Sequence, residues 1–300
     1  IILAKNEPAK KFGVQTAETI WQAKKKCPEL VLLPPHHKLY RQVSKEVNTI
    51  YEQYTDLVEP FGIDESWLDV THTLHLFGGD AKALADHLRQ RMKQEMGLTL
   101  SVGVSFNKVF AKLGSDYRKP DAITRIEADN YKGVVYPLPV EDLLYVGLAT
   151  SRKLRAVGIC TIGHLAECPV EFLERRLGKM GAILHMFANG RDVSPVQRSD
   201  HIPNIKSVGN SATAPRDLVS ETDVQLMLLL LAESVCTRMR ELASRCTVVE
   251  ISVRDTELHS YSRQKKLPRP SCSSQELAEV GMALFRRSYD WARPVRSIGI

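Results

Sequence analysis

Residues 61–71 read Phe61-Gly62-Ile63-Asp64-Glu65-Ser66-Trp67-Leu68-Asp69-Val70-Thr71, and the folding of this stretch decides what the rest of the chain can be. Two short apolar runs, Val58 to Ile63 and Trp67 to Val70, flank three polar residues. The pattern predicts a β-hairpin with Asp64, Glu65 and Ser66 at or near its tip. Adjacent carboxylates on a rigid hairpin bind divalent cations through hard oxygen ligands. Cations held in this way can clamp both sides of a phosphoryl transfer, with two ions about 3.5–4 Å apart. An isolated acidic pair in a turn is most often only a solvated turn, so the reading depends on the neighbouring elements.

Upstream, residues 13–36 carry a helical pattern around Ile20, Trp21 and Lys24, then Leu30-Val31-Leu32-Leu33 as a short buried strand that Pro34-Pro35 ends. From Leu39 to Tyr54, the positions Leu39, Val43, Val47, Ile50, Tyr51 and Tyr54 make one helix face. Downstream, a helix runs over Ala81, Leu84, Ala85, Leu88 and Met92, and Leu98, Leu100, Val102 and Val104 alternate as a strand. A third helix, capped by Ser105 or Asn107, carries Val109, Phe110 and Leu113; Ile123 to Ile126 is a further strand. Phe61 and Trp67 read as core, Asp69 as a turn or strand-end acceptor. His72 and His75 have helical metal-pair spacing without an acidic helix partner, and read as loop residues. With one strand placed ahead of it, this order approaches a split β-α-β arrangement with a carboxylate-bearing central hairpin. That strand would lie before residue 1. The chain opens and closes on strand patterns, Ile1-Ile2-Leu3 and Val295 to Ile300, so both ends read as cut.

Residues 138–190 read as short helices. Leu144 to Leu154, continuing to Val157-Gly158-Ile159, resembles a helix-hairpin-helix, in which a glycine turn brings backbone amides to a DNA phosphate at a helix N-terminus. Tyr145 replaces the usual first glycine, and a plain helical hairpin is the equal alternative. Residues 197–206, polar and containing Pro203, read as a linker. A second β-α-β-β-α-β order follows: a strand near Ser207 to Thr213, a helix from Glu221 to Ala243, and strands at Thr247 to Val253 and Ser260 to Leu267. A helix from Gln275 to Tyr289 and a strand from Val295 complete it. Ser220 and Asp223 fit a capping box, and Trp291 anchors the last helix. Arg263, Lys265 and Lys266 lie on one strand, with Arg293 and Arg296 beside the last. Such cations can track a nucleic-acid backbone; equally, they can protect a sheet edge.

The composition, 43% hydrophobic and 25% charged over 300 residues, is that of a soluble globular protein with room for several domains. No apolar run is long enough to cross a bilayer; the longest, Met227 to Ala232, sits in an amphipathic helix pattern. No secretory signal is visible. Six cysteines without a Cys-x-x-Cys pair suggest neither a zinc site nor a redox motif, and suit a reducing cytosol. The net charge of +6 is unevenly placed: 18 Lys/Arg against 17 Asp/Glu in residues 1–130, 9 against 6 in 131–199, and 14 against 11 in 203–300. An excess in the later part is compatible with a phosphate-bearing partner there.

Four ordered segments carry a resemblance: GIDESWLDVT at 62–71, SVGVSFNKVFAKLGSDYRKP at 101–120, KSVGNSATAPRDL at 206–218 and RSIGI at 296–300. They resemble the Y-family DNA polymerases, the translesion class that includes DNA polymerase IV and UmuC-like proteins. The resemblance implies an α+β multidomain right hand. Its parts are small fingers (1–36, without the N-terminal palm strand), a ferredoxin-like palm (37–130) and a helical thumb with the helix-hairpin-helix (131–199). A linker (200–206) leads to a β-α-β-β-α-β little finger, cut at its C-terminal end (207–300).

It further implies that Asp64 and Glu65 bind two Mg²⁺ ions as catalytic ligands, beside a first aspartate and an aromatic sugar gate that would precede residue 1. Lys119 falls where the family places a lysine on the incoming triphosphate. Glu7 and Lys10 stand where a tyrosine and an arginine normally contact it. Lys10 retains the charge without a bidentate fork; Glu7 cannot. DNA contacts would come from Gly147, Thr150 and Lys153 in the thumb turn and from Arg263, Lys265 and Arg296 in the little finger. Such contacts predict sequence-independent, salt-sensitive binding. The implied activity is low-fidelity, template-directed DNA synthesis in damage bypass, with primer-template DNA and dNTP as partners. A sliding clamp is a candidate further partner. The implied protein acts as a monomer in the bacterial cytoplasm, associated with the nucleoid and with no membrane. The alternative is a catalytically inactive DNA-binding accessory protein on the same fold. A helix-hairpin-helix nuclease or lyase is a further rival, which lacks a positioned lysine or aspartate beside the hairpin.

Overall fold

The computed structural model describes residues 1–201 and 204–300. The chain separates into two compact units, Ile1–His201 and Ile202–Ile300. Pro203, within the expected linker, lies outside the described residues.

In the first unit, α1 (Glu7–Lys11) starts on an Asn6 cap and α2 (Ile20–Lys26) on a reciprocal Thr19–Gln22 capping box. Ile2, Ala9, Val14 and Ala23 form a small core with Cys27 and Leu30 against it. Two strand expectations fail here. Ile2 alone exchanges backbone hydrogen bonds, with Glu18 and Ala17, too few for a strand. Leu30 to Leu33 lie in no strand either, with Val31 and Leu33 81% and 85% exposed. Their backbone has no neighbouring strand to pair with, and only Leu30 reaches the core.

α3 (His37–Tyr51) turns Val47, Ile50 and Tyr51, with Tyr54 beyond its end, onto a core shared with Leu84, Leu88 and Met92; Leu39, expected on that face, is exposed. β1 (Val58–Pro60) and β2 (Ser66–Leu68) pair antiparallel, Val58 opposite Leu68 and Pro60 opposite Ser66. The hairpin is present with shorter strands than expected, and Ser66 opens β2, near the tip. Asp69 accepts the Thr71 N–H, closing the turn that follows. A 3-10 turn, Leu74–Phe77, takes in His75, which is therefore not a loop residue. α4 (Ala81–Met96) runs from an Asp80 cap to Gly97.

β3 (Val102–Ser105) and β4 (Ile123–Ile126) pair in parallel across α5 (Lys108–Tyr117), which Asn107 caps by accepting the Phe110 N–H at 2.8 Å. Leu98 and Leu100 precede β3 instead of belonging to it. Among the described residues the hairpin and the parallel pair are separate two-stranded sheets, so the expected split β-α-β stands as two halves with no strand pairing between them. α5 is pressed against β3: a Cβ on Gly103 would lie 1.8 Å from the Ala111 carbonyl oxygen. Only glycine permits that approach, and it aims one face of α5 at the hairpin.

Five short helices follow: α6 (Tyr131–Val135), α7 (Leu148–Arg155), α8 (Ile162–Glu167), α9 (Val170–Leu177) and α10 (Lys179–Ala188), with a 3-10 turn at Val140–Asp142. They share a core with Val109, Phe110 and Leu113 of α5.

The second unit contains β5 (Ser211–Leu218), α11 (Glu221–Glu241), β6 (Cys246–Asp255), β7 (Ser260–Ser271), α12 (Ser274–Ser288) and β8 (Val295–Gly299). The sheet order is β5-β8-β6-β7, all antiparallel, leaving β5 and β7 at its edges. β5 starts later than expected, at Ser211. Val224, Leu228 and Leu231 of α11 pack with Ile251, Val253, Phe285 and Ile298, and Trp291 joins this cluster 5.3 Å from Phe285. The Ser220–Asp223 cap is half a box: Ser220 Oγ accepts the Asp223 N–H, whereas the Asp223 carboxylate turns to the Val219 N–H and Arg216. All six cysteines are free thiols, and burial pushes the Cys236 thiol up to about 11.

Candidate active site

The hairpin loop closes where the Phe61 N–H donates to the Glu65 carbonyl at 2.8 Å. Gly62, at φ +90°, makes the turn within it. Asp64 is exposed at the tip, and Glu65, half-buried, leads into β2. The Phe61 and Trp67 rings meet at 4.6 Å beneath them, and the Trp67 indole N–H donates to the Lys108 carbonyl. Ser66 Oγ donates to Asn48 Oδ1 at 2.7 Å, tying the hairpin to α3.

The face of α5 turned to the hairpin carries charges one helical turn apart. Lys108 holds Glu59 of β1, Nζ to each carboxylate oxygen at 2.7 Å. A turn later, Lys112 Nζ donates to Glu65 Oε1 at 2.9 Å and to Asp116 Oδ2 at 2.6 Å. Asp116 Oδ1 in turn meets Lys119 Nζ at 2.6 Å. Glu65, Lys112, Asp116 and Lys119 thus form one row of alternating sign. Burial opposes the charge on Lys112, but hydrogen bonds to Asp116 and Glu65 outweigh it and raise its pKa. Burial likewise pushes the Asp116 carboxyl up, and Lys112 and Lys119 more than reverse it, holding it below the ordinary range. Just beyond Pro120, Arg89 meets Asp121 Oδ1 at 3.0 Å, fixing the chain that follows Lys119.

The row therefore links two residues of the expected machinery, Glu65 and Lys119, through Lys112 and Asp116, with Asp64 next to Glu65 in the chain. Lys10 is not part of it: on α1, 63% exposed, it pairs with Glu7 at 3.6 Å. Glu59, Lys108, Lys112 and Asp116 escape sequence reasoning, although the four-residue spacing 108, 112, 116 on one helix carries a signal. Among the described residues, no three His, Cys, Asp or Glu side chains gather as a metal cluster. The hairpin thus offers two carboxylates. Mg²⁺ characteristically uses one or two protein carboxylates and completes its shell with water and phosphate oxygens, so the donor set fits that ion.

A cleft of about 500 Å³ lies between this row and the turn before α7, lined by Lys112, Asp116, Glu141, Asp142, Tyr145 and Gly147. Burial, with Glu141 and Asp116 nearby, pushes the Asp142 carboxyl up. Tyr145 holds φ +68°, the conformation that the usual glycine of such a turn supplies. Gly147 is the N-cap of α7 and contributes no side chain, so the first amides of that helix are left without a side-chain acceptor. Thr150 lies in the first turn of α7 and Lys153 is exposed farther along it. In the second unit, Arg263 and Lys265 are exposed on the edge strand β7, in register with Ile251 and Val249. Arg296 on β8 is partly occupied, donating to the Ala214 carbonyl and Asp217.

Residues 1–116 match the impB/mucB/samB family, and residues 205–300 match the impB/mucB/samB family C-terminal domain. The chain is similar to DNA polymerase IV of Acetivibrio thermocellus, 49% identical over 300 residues that cover 100% of this chain and 75% of the relative. It is 36% identical to DNA polymerase IV 2 of Bacillus subtilis over 307 residues, covering 100% of this chain and 74% of the relative. Among solved structures, a Y-family DNA polymerase chimera, Dbh-Dpo4(243-245)-Dbh, aligns with a TM-score of 0.85 at 23% identity, over 98% of this chain and 84% of that one. DinB from Sulfolobus solfataricus aligns with a TM-score of 0.61 at 24% identity, over 98% and 85%. These structural likenesses establish the fold.

Proposed function

The chain belongs to the impB/mucB/samB family of Y-family, DinB-like DNA polymerases, and from that membership we propose that Asp64 and Glu65 are the protein's metal-binding carboxylates for nucleotidyl transfer. The protein is a DNA-directed DNA polymerase of the translesion class. Primer-template DNA and a deoxynucleoside triphosphate are its substrates. The observation that carries the site reading is the row from Glu65 through Lys112 and Asp116 to Lys119. It links a carboxylate suited to a cation with an ammonium suited to a phosphate, through two side chains of α5.

Asp64 and Glu65 would hold the magnesium ions, which when bound supply charge that acidifies the primer 3′-hydroxyl and neutralises the departing pyrophosphate. Lys112 orients Glu65 through the hydrogen bond to its Oε1. Lys119, its side chain 55% exposed, offers its charge to the triphosphate. The uncapped amides after Gly147, with Thr150 and Lys153, are suited to a phosphodiester of the duplex. Arg263 and Lys265 add backbone attraction without reading bases. No helix among the described residues is long and apolar enough to cross a membrane.

Primer extension by the full-length protein in Mg²⁺ tests the reading. Asp64→Ala and Glu65→Ala are each expected to lose at least about a hundredfold in rate, as removal of a preorganised electrostatic group does. Extension by either variant at the wild-type rate removes that residue from the site. A wild-type protein that binds primer-template DNA without extending it would instead support an accessory role.

A further inference from the structure

We propose that Asp116 is a positioning residue that couples nucleotide entry to the freeing of Glu65. It is the counter-anion that holds Lys119 in reserve and hands it to the incoming triphosphate. The inference rests on the reading of Asp64 and Glu65 as the metal-binding pair.

The geometry divides one carboxylate between two ammoniums: Oδ2 meets Lys112 and Oδ1 meets Lys119, each at 2.6 Å. The four-residue spacing puts Lys112 and Asp116 on the same side of α5, and the extended Arg118 just past the helix end leaves Lys119 within reach of the same carboxylate. The two ion pairs differ in environment. Lys112 is 18% exposed and shared between Asp116 and Glu65, whereas Lys119 is 55% exposed. An exposed pair of this kind is weak and readily exchanged. A triphosphate carries several charges and outcompetes a single carboxylate for Lys119.

The departure of Lys119 leaves Asp116 with Lys112 alone. Its full charge then draws Lys112 along α5, away from Glu65 Oε1, and releases that oxygen to a cation. In the resting row the four charges cancel, so neither the carboxylate nor the lysine is available. Entry of the nucleotide frees both. Linkage makes the effect reciprocal: a divalent ion at Glu65 pushes Lys112 toward Asp116 and loosens Lys119.

Asp116→Asn breaks the coupling while keeping the shape. The probe is a dNTP matched to the template, titrated onto full-length protein bound to a dideoxy-terminated primer-template, first without divalent ions and then with Ca²⁺. Asp116→Asn is expected to bind the dNTP about threefold tighter without divalent ions, the scale of one exposed charge pair. It should gain less from Ca²⁺ than the wild type does, and Asp116→Glu should restore both values. Wild-type or weaker binding by Asp116→Asn without divalent ions overturns the inference. Should that variant not fold, the unaltered protein decides: its Lys119 ¹⁵Nζ resonance shifts on addition of inorganic tripolyphosphate, and a resonance that stays fixed overturns the inference. Asp64→Ala separates the two levels. If it extends primers normally, the site reading fails. If it is inactive while Asp116→Asn binds as wild type, only the coupling fails.

Discussion

Lys108 Nζ stands 2.7 Å from both carboxylate oxygens of Glu59 and 4.5 Å above the Trp67 ring, so one turn of α5 is fastened to both strands of the hairpin. The side chains are only 13% and 22% exposed. Lys108→Met leaves Glu59 with the Gln197 N–H as its remaining donor. The expected cost is about 1–3 kcal/mol, below the full penalty of a buried unpaired charge because Glu59 retains some solvent. Urea unfolding of the variant and wild type measures it.

Gly103→Ala places a methyl group 1.8 Å from the Ala111 carbonyl oxygen and 2.5 Å from the Ser115 amide nitrogen. Both neighbours are backbone, so β3 and α5 must separate. A loss of about 3 kcal/mol or more is expected. The displacement of α5 should weaken Lys112's grip on Glu65, seen as a fall in primer extension even where the protein stays folded.

Tyr145→Gly acts in the opposite direction. The tyrosine is 56% exposed and held at φ +68°, a conformation that costs a side-chain-bearing residue about 1–2 kcal/mol. Part of that gain is offset by glycine's freedom in the unfolded chain. A net stabilisation of about 0.5–1 kcal/mol is expected in chemical denaturation, with Tyr145→Val destabilised instead.

Asp223 governs an acid-sensitive start of α11. The Arg216 hydrogen bond, then the Ser220 hydroxyl and the Val219 N–H, hold its carboxyl below the ordinary Asp value of 3.8. Its contribution to stability is therefore complete above the ordinary value and is lost as pH falls through the lower folded value. Asp223→Asn should melt below wild type at pH 7, and the gap should narrow as pH falls below the ordinary Asp value of 3.8. Parallel melting curves across that range check the sign.

Arg263→Ala and Lys265→Ala should each weaken DNA binding equally for unrelated sequences. Each should flatten the dependence of log affinity on log salt by about 0.9, the value for one phosphate contact on a duplex. Anisotropy titrations of a labelled primer-template at several salt concentrations give the slope.

The second unit is legible in the sequence because its strands find partners within the same unit. Thr247 to Val253 and Ser260 to Leu267 need only a few added residues to become β6 and β7. The misreadings share one cause. Leu30 to Leu33 and Leu98 to Leu100 have strand-like side chains, yet a strand also requires a lateral backbone partner, which no local pattern reports. At the candidate site, Asp64 and Glu65 stand out because two acids interrupt an apolar hairpin. Lys112 and Asp116 lie in plain view in the 101–120 segment. Their importance depends on which face of α5 meets the hairpin, and that is set by the Gly103 contact, invisible in a one-dimensional reading.

Among the described residues β7 has a strand on one side only, and its outer rim carries Arg263, Lys265, Lys266 and Arg269 among exposed residues, interrupted by Pro268 and Pro270. Two molecules meeting rim to rim would bring like charges together, and proline offers no amide to zip them. Concentrated enzyme without nucleic acid should thus remain dispersed in dilute buffer and start to self-associate as ionic strength screens that repulsion, the reverse of its response to a duplex.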